Sequence, residues 1–148
     1  MIVELGNLSG YSTFVPHQDK NKIFLSRKLS EVASLQDYYE FTYENLLRRA
    51  RTVDVTWFND RKLPKAFFEV EHSTDIHNSL LKFTEFQDFR VDFFIVADAA
   101  RRQEFEGKLA YAAFAPIRTE VKFLDYEAIS ELHTRASANI VAKELALL

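Results

Sequence analysis

The chain has 148 residues, 47% of them hydrophobic and 14% aromatic, with 14 Phe and only three Gly and three Pro. This composition fits one globular domain and argues against a disordered, loop-rich or low-complexity chain. The net charge of -3 does not advertise nucleic acid, and the absence of Cys excludes disulfides and thiolate metal sites and suits the cytoplasm.

The opening segment, Met1 to Gly10, has no basic start and no long apolar run, so no signal peptide is expected. No apolar stretch approaches the ~20 residues that span a bilayer, and no membrane partner is expected. A single domain over 1–148 is expected, whole or as a piece of a longer protein. The chain begins directly in Ile2-Val3-Glu4-Leu5 and ends on Leu145-Ala146-Leu147-Leu148. There is no internal repeat and no linker.

Residues 11–28, with Pro16 and the polar run His17 to Lys22, read as an extended segment and a loop. Residues 29–50 read as helix in two pieces around Ser34–Asp37. Leu29, Val32 and Ala33 lie on one face of the first piece, and Tyr39, Tyr43, Leu46, Leu47 and Ala50 keep helical spacing in the second. The period then changes. Val53, Val55 and Trp57 alternate with Asp54 and Thr56, residues 59–64 are turn-like, and residues 66–71 read as the returning strand of a hairpin. Ser73 or Thr74 suits the N-cap of a helix over roughly 75–89. Val91–Ala97 is a nearly continuous apolar run, as in a strand covered on both faces. Residues 98–109 read as helix, 118–124 as strand and 126–147 as a closing helix. This order implies an α/β fold with a central mixed sheet flanked by helices.

The chemistry concentrates on the hairpin. Glu69 and Glu71 are two apart on a strand, so they share a face, roughly 6–7 Å apart. Asp54, on the preceding strand, is placed to meet them. Three carboxylates buried together need a counter-ion, and hard carboxylate oxygens suit Mg²⁺. Such an ion activates water and stabilises charge on a phosphate. The helix after Glu71 would turn its N-terminal amides toward the same region, which favours an anion. Arg48, Arg49 and Arg51 flank the acids on one side and Arg61, Lys62 and Lys65 on the other, as phosphate contacts would require. A hairpin with solvated carboxylates and a solvated charge run would share each motif singly. The joint arrangement, between a strand-start Asp and a capped helix, favours a nuclease site.

On these residues the chain resembles the PD-(D/E)xK, or restriction-endonuclease-like, nucleases. Asp54, a hairpin turn and Glu69-Val70-Glu71 match that motif in order over roughly residues 29–97. Phe68-Glu69-Val70-Glu71-His72-Ser73 is also similar to an F-E-V-E-x-S/T core of bacterial restriction-enzyme-related domains. Arg51-Thr52-Val53-Asp54-Val55-Thr56-Trp57 is similar to the R-x-x-D-V-x-W segment that precedes their hairpin. The resemblance implies a restriction-endonuclease-like core with the active site on the hairpin. It implies Asp54 and Glu69 as ligands of Mg²⁺, with Mn²⁺ able to substitute, and phosphodiester bonds of nucleic acid, DNA before RNA, as substrate. It also implies a homodimer where two strands are cut, and fusion to or partnership with other domains.

The chain departs from the family at Glu71, where Lys is usual; an E-x-E variant keeps a carboxylate to orient or deprotonate water but loses a positive charge. Lys82 on the following helix is the first candidate to supply that charge, although an ordinary solvated lysine has the same sequence. Gln87 is a weaker candidate for a substrate contact, Glu44 for an additional carboxylate, His72 for a substrate contact, and His17, with Gln18 and Asp19, for the edge of the site. The spacing of His72 and His77 does not favour zinc. Tyr38, Tyr39 and Tyr43 read as helix core and surface rather than a base-stacking platform. The lysine departure also leaves open a domain that keeps the fold and binds nucleic acid or a protein partner without cutting.

Overall fold

A computed structural model describes the backbone of residues 1–16, 23–24 and 27–147 and the side chains of 1–16 and 31–147. Its centre is a five-stranded sheet in the order β1 (Ser12–Phe14), β4 (Val55–Phe58), β5 (Pro64–Glu71), β6 (Asp92–Ala97), β7 (Val121–Asp125). The pairings β1–β4 and β4–β5 are antiparallel, and β5–β6 and β6–β7 are parallel. The sheet is therefore mixed, as expected. In a separate two-stranded sheet β2 (Ile23–Phe24) pairs antiparallel with β3 (Arg27–Lys28). The helices are α1 (Ile2–Leu8), α2 (Leu29–Val32), α3 (Glu44–Ala50), α4 (Ile76–Thr84), α5 (Arg102–Leu109) and α6 (Tyr126–Ala146).

The phenylalanines explain why one sheet can be covered twice. Phe67, Phe93, Ile95 and Phe123 pack with Leu80 and Phe83 of α4 and with Phe105 of α5 on one face. Val55, Phe68 and Val96 pack with Val3 of α1 and Ile129 of α6 on the other. Alternation along β5 thus sends Phe67 to one layer and Phe68 to the other. Gly6 lets α1 approach the sheet closely, because a Cβ there would lie 2.5 Å from Trp57 Nε1. Among the described residues no helix is long and apolar enough to cross a membrane.

Three expectations about the elements are corrected. Helix α1 and strand β1 precede the helix that was expected first. The two helical pieces expected over 29–50 are present but shorter, as α2 and α3, and the break around Ser34–Asp37 widens because Ser34 and Tyr38 are attached elsewhere. Thr13 N donates to Ser34 Oγ at 2.7 Å, Ser34 N donates to Thr13 Oγ1 at 3.0 Å, and Leu35 N donates to Thr13 O at 2.9 Å. Tyr38 is buried edge-on against Phe14 and Phe58, its hydroxyl 3.1 Å from Thr56 Oγ1. Such side-chain bonds to backbone compete with helix. Finally, α4 is shorter than expected, and its cap is Asp75, which accepts from His77 N at 2.9 Å, rather than Ser73 or Thr74.

Candidate active site

The sheet pairing brings the hairpin acids together at the C-terminal end of β5. The β4–β5 ladder stops at Val55 and Phe68. Just beyond it, Asp54 Oδ2 accepts the Val70 N–H at 2.7 Å. Glu69 and Glu71 lie on the face covered by α4 and are 3% and 5% exposed. Lys82, in the last turn of α4, forms an ion pair with Glu69 Oε1 and donates to Thr52 O at 3.1 Å. Glu71 accepts from two hydroxyls, Thr74 Oγ1 on Oε2 and Ser79 Oγ on Oε1.

Burial pushes the Glu69 carboxyl up to about 8; the negative charge of Asp54 adds to the rise, and the Lys82 ammonium opposes it. Glu71 is also raised, first by burial and against the Ser79 hydrogen bond. A carboxyl that neutralises itself in this way lacks sufficient compensating positive charge.

These acids line an open cleft of 590 Å³ together with Arg49, Thr74, Asp75, Asn78, Leu81 and Lys82. Two facing carboxylates fit a hard cation that keeps most of its water. No set of three His, Asp or Glu side chains among the described residues is arranged to hold a metal ion. Both oxygens of Glu71 are already engaged by hydroxyls.

The other residues singled out in the sequence are less concentrated. Arg49 lines the cleft and pairs with Glu85 at 2.8 Å. Arg48 is exposed and, with Arg49, lines an adjoining depression over α3. Arg51 turns back to Glu44 at 3.1 Å, which places both in an exposed pair away from the carboxylates. The basic residues expected on the other side do not line the cleft. Arg61 and Lys62 sit in the hairpin turn, and Lys65 stands at the start of β5, paired with Asp92 at 2.9 Å. The strand separates them from Glu69 and Glu71, because four residues of β-strand span roughly 13 Å. Gln87 lies past the end of α4, bonded to Thr84 O at 3.0 Å, and lines a depression beside Lys65 instead of the cleft. His72 alternates to the opposite sheet face and meets the Tyr126 hydroxyl at 2.8 Å, whereas His77 packs edge-on to Phe114; the two do not converge. His17, Gln18 and Asp19 lie outside the described residues.

Sequence reasoning missed the hydroxyls of Thr74 and Ser79. Ser79 carried a signal, since it interrupts the apolar face formed by Ile76, Leu80 and Phe83, and a buried hydroxyl there needs a partner. The Asp54 bond to Val70 N–H had no signal short of the register.

A family model described as the type II restriction enzyme NmeDI C-terminal domain matches residues 1–145. The chain is also 22% identical over 140 residues to the type II restriction enzyme NmeDI of Neisseria meningitidis serogroup C. That match covers 88% of this chain and 39% of the relative, so the chain spans well under half of the relative's length. No solved structure matches. The chain belongs to the family of type II restriction enzyme NmeDI C-terminal domains.

Proposed function

We propose that this domain hydrolyses phosphodiester bonds in DNA in a restriction-type, divalent-cation-dependent reaction, as an E-x-E variant of the PD-(D/E)xK nucleases. The observation that carries the reading is the meeting of Asp54, Glu69 and Lys82 at one cleft: two hairpin carboxylates and a lysine delivered from α4. Lys82 supports the reading because it brings a positive charge to the site that position 71 no longer supplies. The printed name of the relative supports a restriction-type role, and its greater length leaves room for further domains to choose the sequence.

Asp54 and Glu69 would hold Mg²⁺, with Mn²⁺ able to take its place. When bound, the cation supplies a Lewis acid for the scissile phosphate and lowers the pKa of bound water. Asp54 is oriented by the Val70 N–H. Lys82 sets an ammonium at the cleft, where it can face a phosphate oxygen. Glu71, whose carboxyl burial lifts above the ordinary carboxylate range, can accept a proton from water through a lone pair left by its two hydroxyl donors. Arg49 and Arg48 can hold phosphates leading to the cleft. A homodimer would pair two such sites across a duplex.

Incubation of the purified chain with several DNA and RNA substrates in Mg²⁺ or Mn²⁺ tests this. DNA cleavage that disappears in Asp54→Asn and Glu69→Gln is the expected result. Cleavage that survives both substitutions overturns the site. Binding without any cutting by the wild type favours a binding module, a reading to which the two hydroxyl bonds on Glu71 lend weight.

A further inference from the structure

Arg101 takes no part in the chemistry proposed above, yet it ties together the two strand ends that bear on the cleft. It follows β6 in a short turn, Ala99–Arg101, whose start is capped by Asp98 accepting from Ala100 N at 2.8 Å. From there its guanidinium reaches the end of the neighbouring strand. Nη1 donates to Glu71 O at 3.1 Å, Nη2 to Thr74 O at 2.7 Å, and Nε to Glu104 Oε2 at 2.8 Å. Glu104 lies 3.5 Å from Lys108, and Lys108 pairs with Asp75, the cap of α4. Segment 71–75 is therefore fastened at Glu71, Thr74 and Asp75 from one side. From the other side, the Thr74 hydroxyl holds the Glu71 carboxylate.

We propose that Arg101 is a positioning residue for Glu71. By clamping the carbonyls of Glu71 and Thr74, it fixes the Thr74 hydroxyl on the carboxylate and so sets the direction in which Glu71 faces the cleft. The planar fork of Arg serves both carbonyls and Glu104 at once, whereas the single ammonium of Lys does not reproduce that geometry. The effect on turnover rests on the nuclease reading; the effect on Glu71 does not.

The full chain is compared with Arg101→Ala, Arg101→Lys, Thr74→Val and the control Arg102→Ala, whose guanidinium lies over the Phe123 ring. The first readout is the side-chain carboxyl ¹³C resonance of Glu71, assigned by its loss in Glu71→Gln. Arg101→Ala is expected to move it in the direction that Thr74→Val does, Arg101→Lys to move it part of the way, and Arg102→Ala to leave it in place. A resonance unmoved by Arg101→Ala overturns the proposal, and if that variant fails to melt cooperatively, Arg101→Lys decides in its stead. The second readout is cleavage in Mg²⁺. A fall in kcat of roughly tenfold to a hundredfold with little change in KM is expected, because small displacements of reacting groups cost rates of that order. An unchanged kcat in a chain that cuts overturns the positioning role. If the wild type cuts nothing while the resonance responds, the nuclease reading fails and the clamp stands.

Discussion

Lys82 and Glu69 form an ion pair that is almost closed off from solvent, with side chains 14% and 4% exposed. The pair joins the last turn of α4 to the strand that carries the acids. It differs from a surface pair in that neither partner can be rehydrated when the other is removed.

Lys82→Met keeps the length and apolar stem of the side chain and removes the charge. Without the opposing ammonium Glu69 holds its proton more firmly and stays neutral, so the fold should survive. Cleavage should fall by about two to three orders of magnitude, the loss seen when a preorganised group that stabilises transition-state charge is deleted. Single-turnover kinetics beside a thermal melt separate the two effects. A variant that cuts at the wild-type rate would return Lys82 to the role of an ordinary structural lysine.

Glu69 should also write itself into the pH dependence of stability. Its carboxyl is lifted from the ordinary 4.5 to about 8 in the folded chain, so the folded state holds a proton that the unfolded state has released. The favourable contribution is complete below about pH 4.5 and is lost as pH rises to about 8, over which stability falls. Urea unfolding across this window should show a larger decline for wild type than for Glu69→Gln, with a difference on the order of a few kcal/mol. Parallel curves for the two proteins would contradict the burial argument.

The same proton opposes a cation. Mn²⁺ should raise the Tm of the wild type, EDTA should reverse the rise, and the shift should grow as pH increases toward about 8 because ligand carboxylates must be deprotonated. Glu69→Gln should abolish the shift. Calorimetric titration of the metal alone, with no DNA present, measures this independently of cleavage.

Phosphate contacts should come from one side of the hairpin only. Arg49→Ala should weaken DNA binding and lower the slope of log affinity against log salt by about one. Lys65→Ala, at the far end of β5, should leave both unchanged. Equal effects in fluorescence anisotropy would mean that nucleic acid follows a path away from the carboxylate cleft.

Much of this arrangement could be read from residue order. The alternation around Asp54 and the returning strand to Glu71 gave a hairpin because period two is a local property, and the sheet came out mixed as the order of elements implied. The juxtaposition of Lys82 with Glu69 was nameable as a candidate because α4 follows β5 with little slack. The errors share a different cause. Tyr38 left the second expected helical piece for a partner on β4, and the break at Ser34 widened because Ser34 bonds to β1; those partners are distant in sequence. Lys65 was assigned to the rim because nearness in sequence to Glu69 resembles nearness to the site, yet an extended strand carries its residues apart rapidly. Arg101 acts from the turn after β6 on the end of a parallel neighbour, and no local pattern announces that.

Asp54 has a second occupation. By accepting the Val70 N–H it finishes a row of main-chain bonds where strand β4 has already stopped. A descendant of this domain that ceased to cut would still need an oxygen at that position to keep the end of β5 in place. Keeping Asp54 is therefore poor testimony of activity among relatives. Lys82, whose ammonium meets Glu69 and the Thr52 carbonyl but finishes no strand, is the more informative residue for telling a working enzyme from one that has become scaffolding.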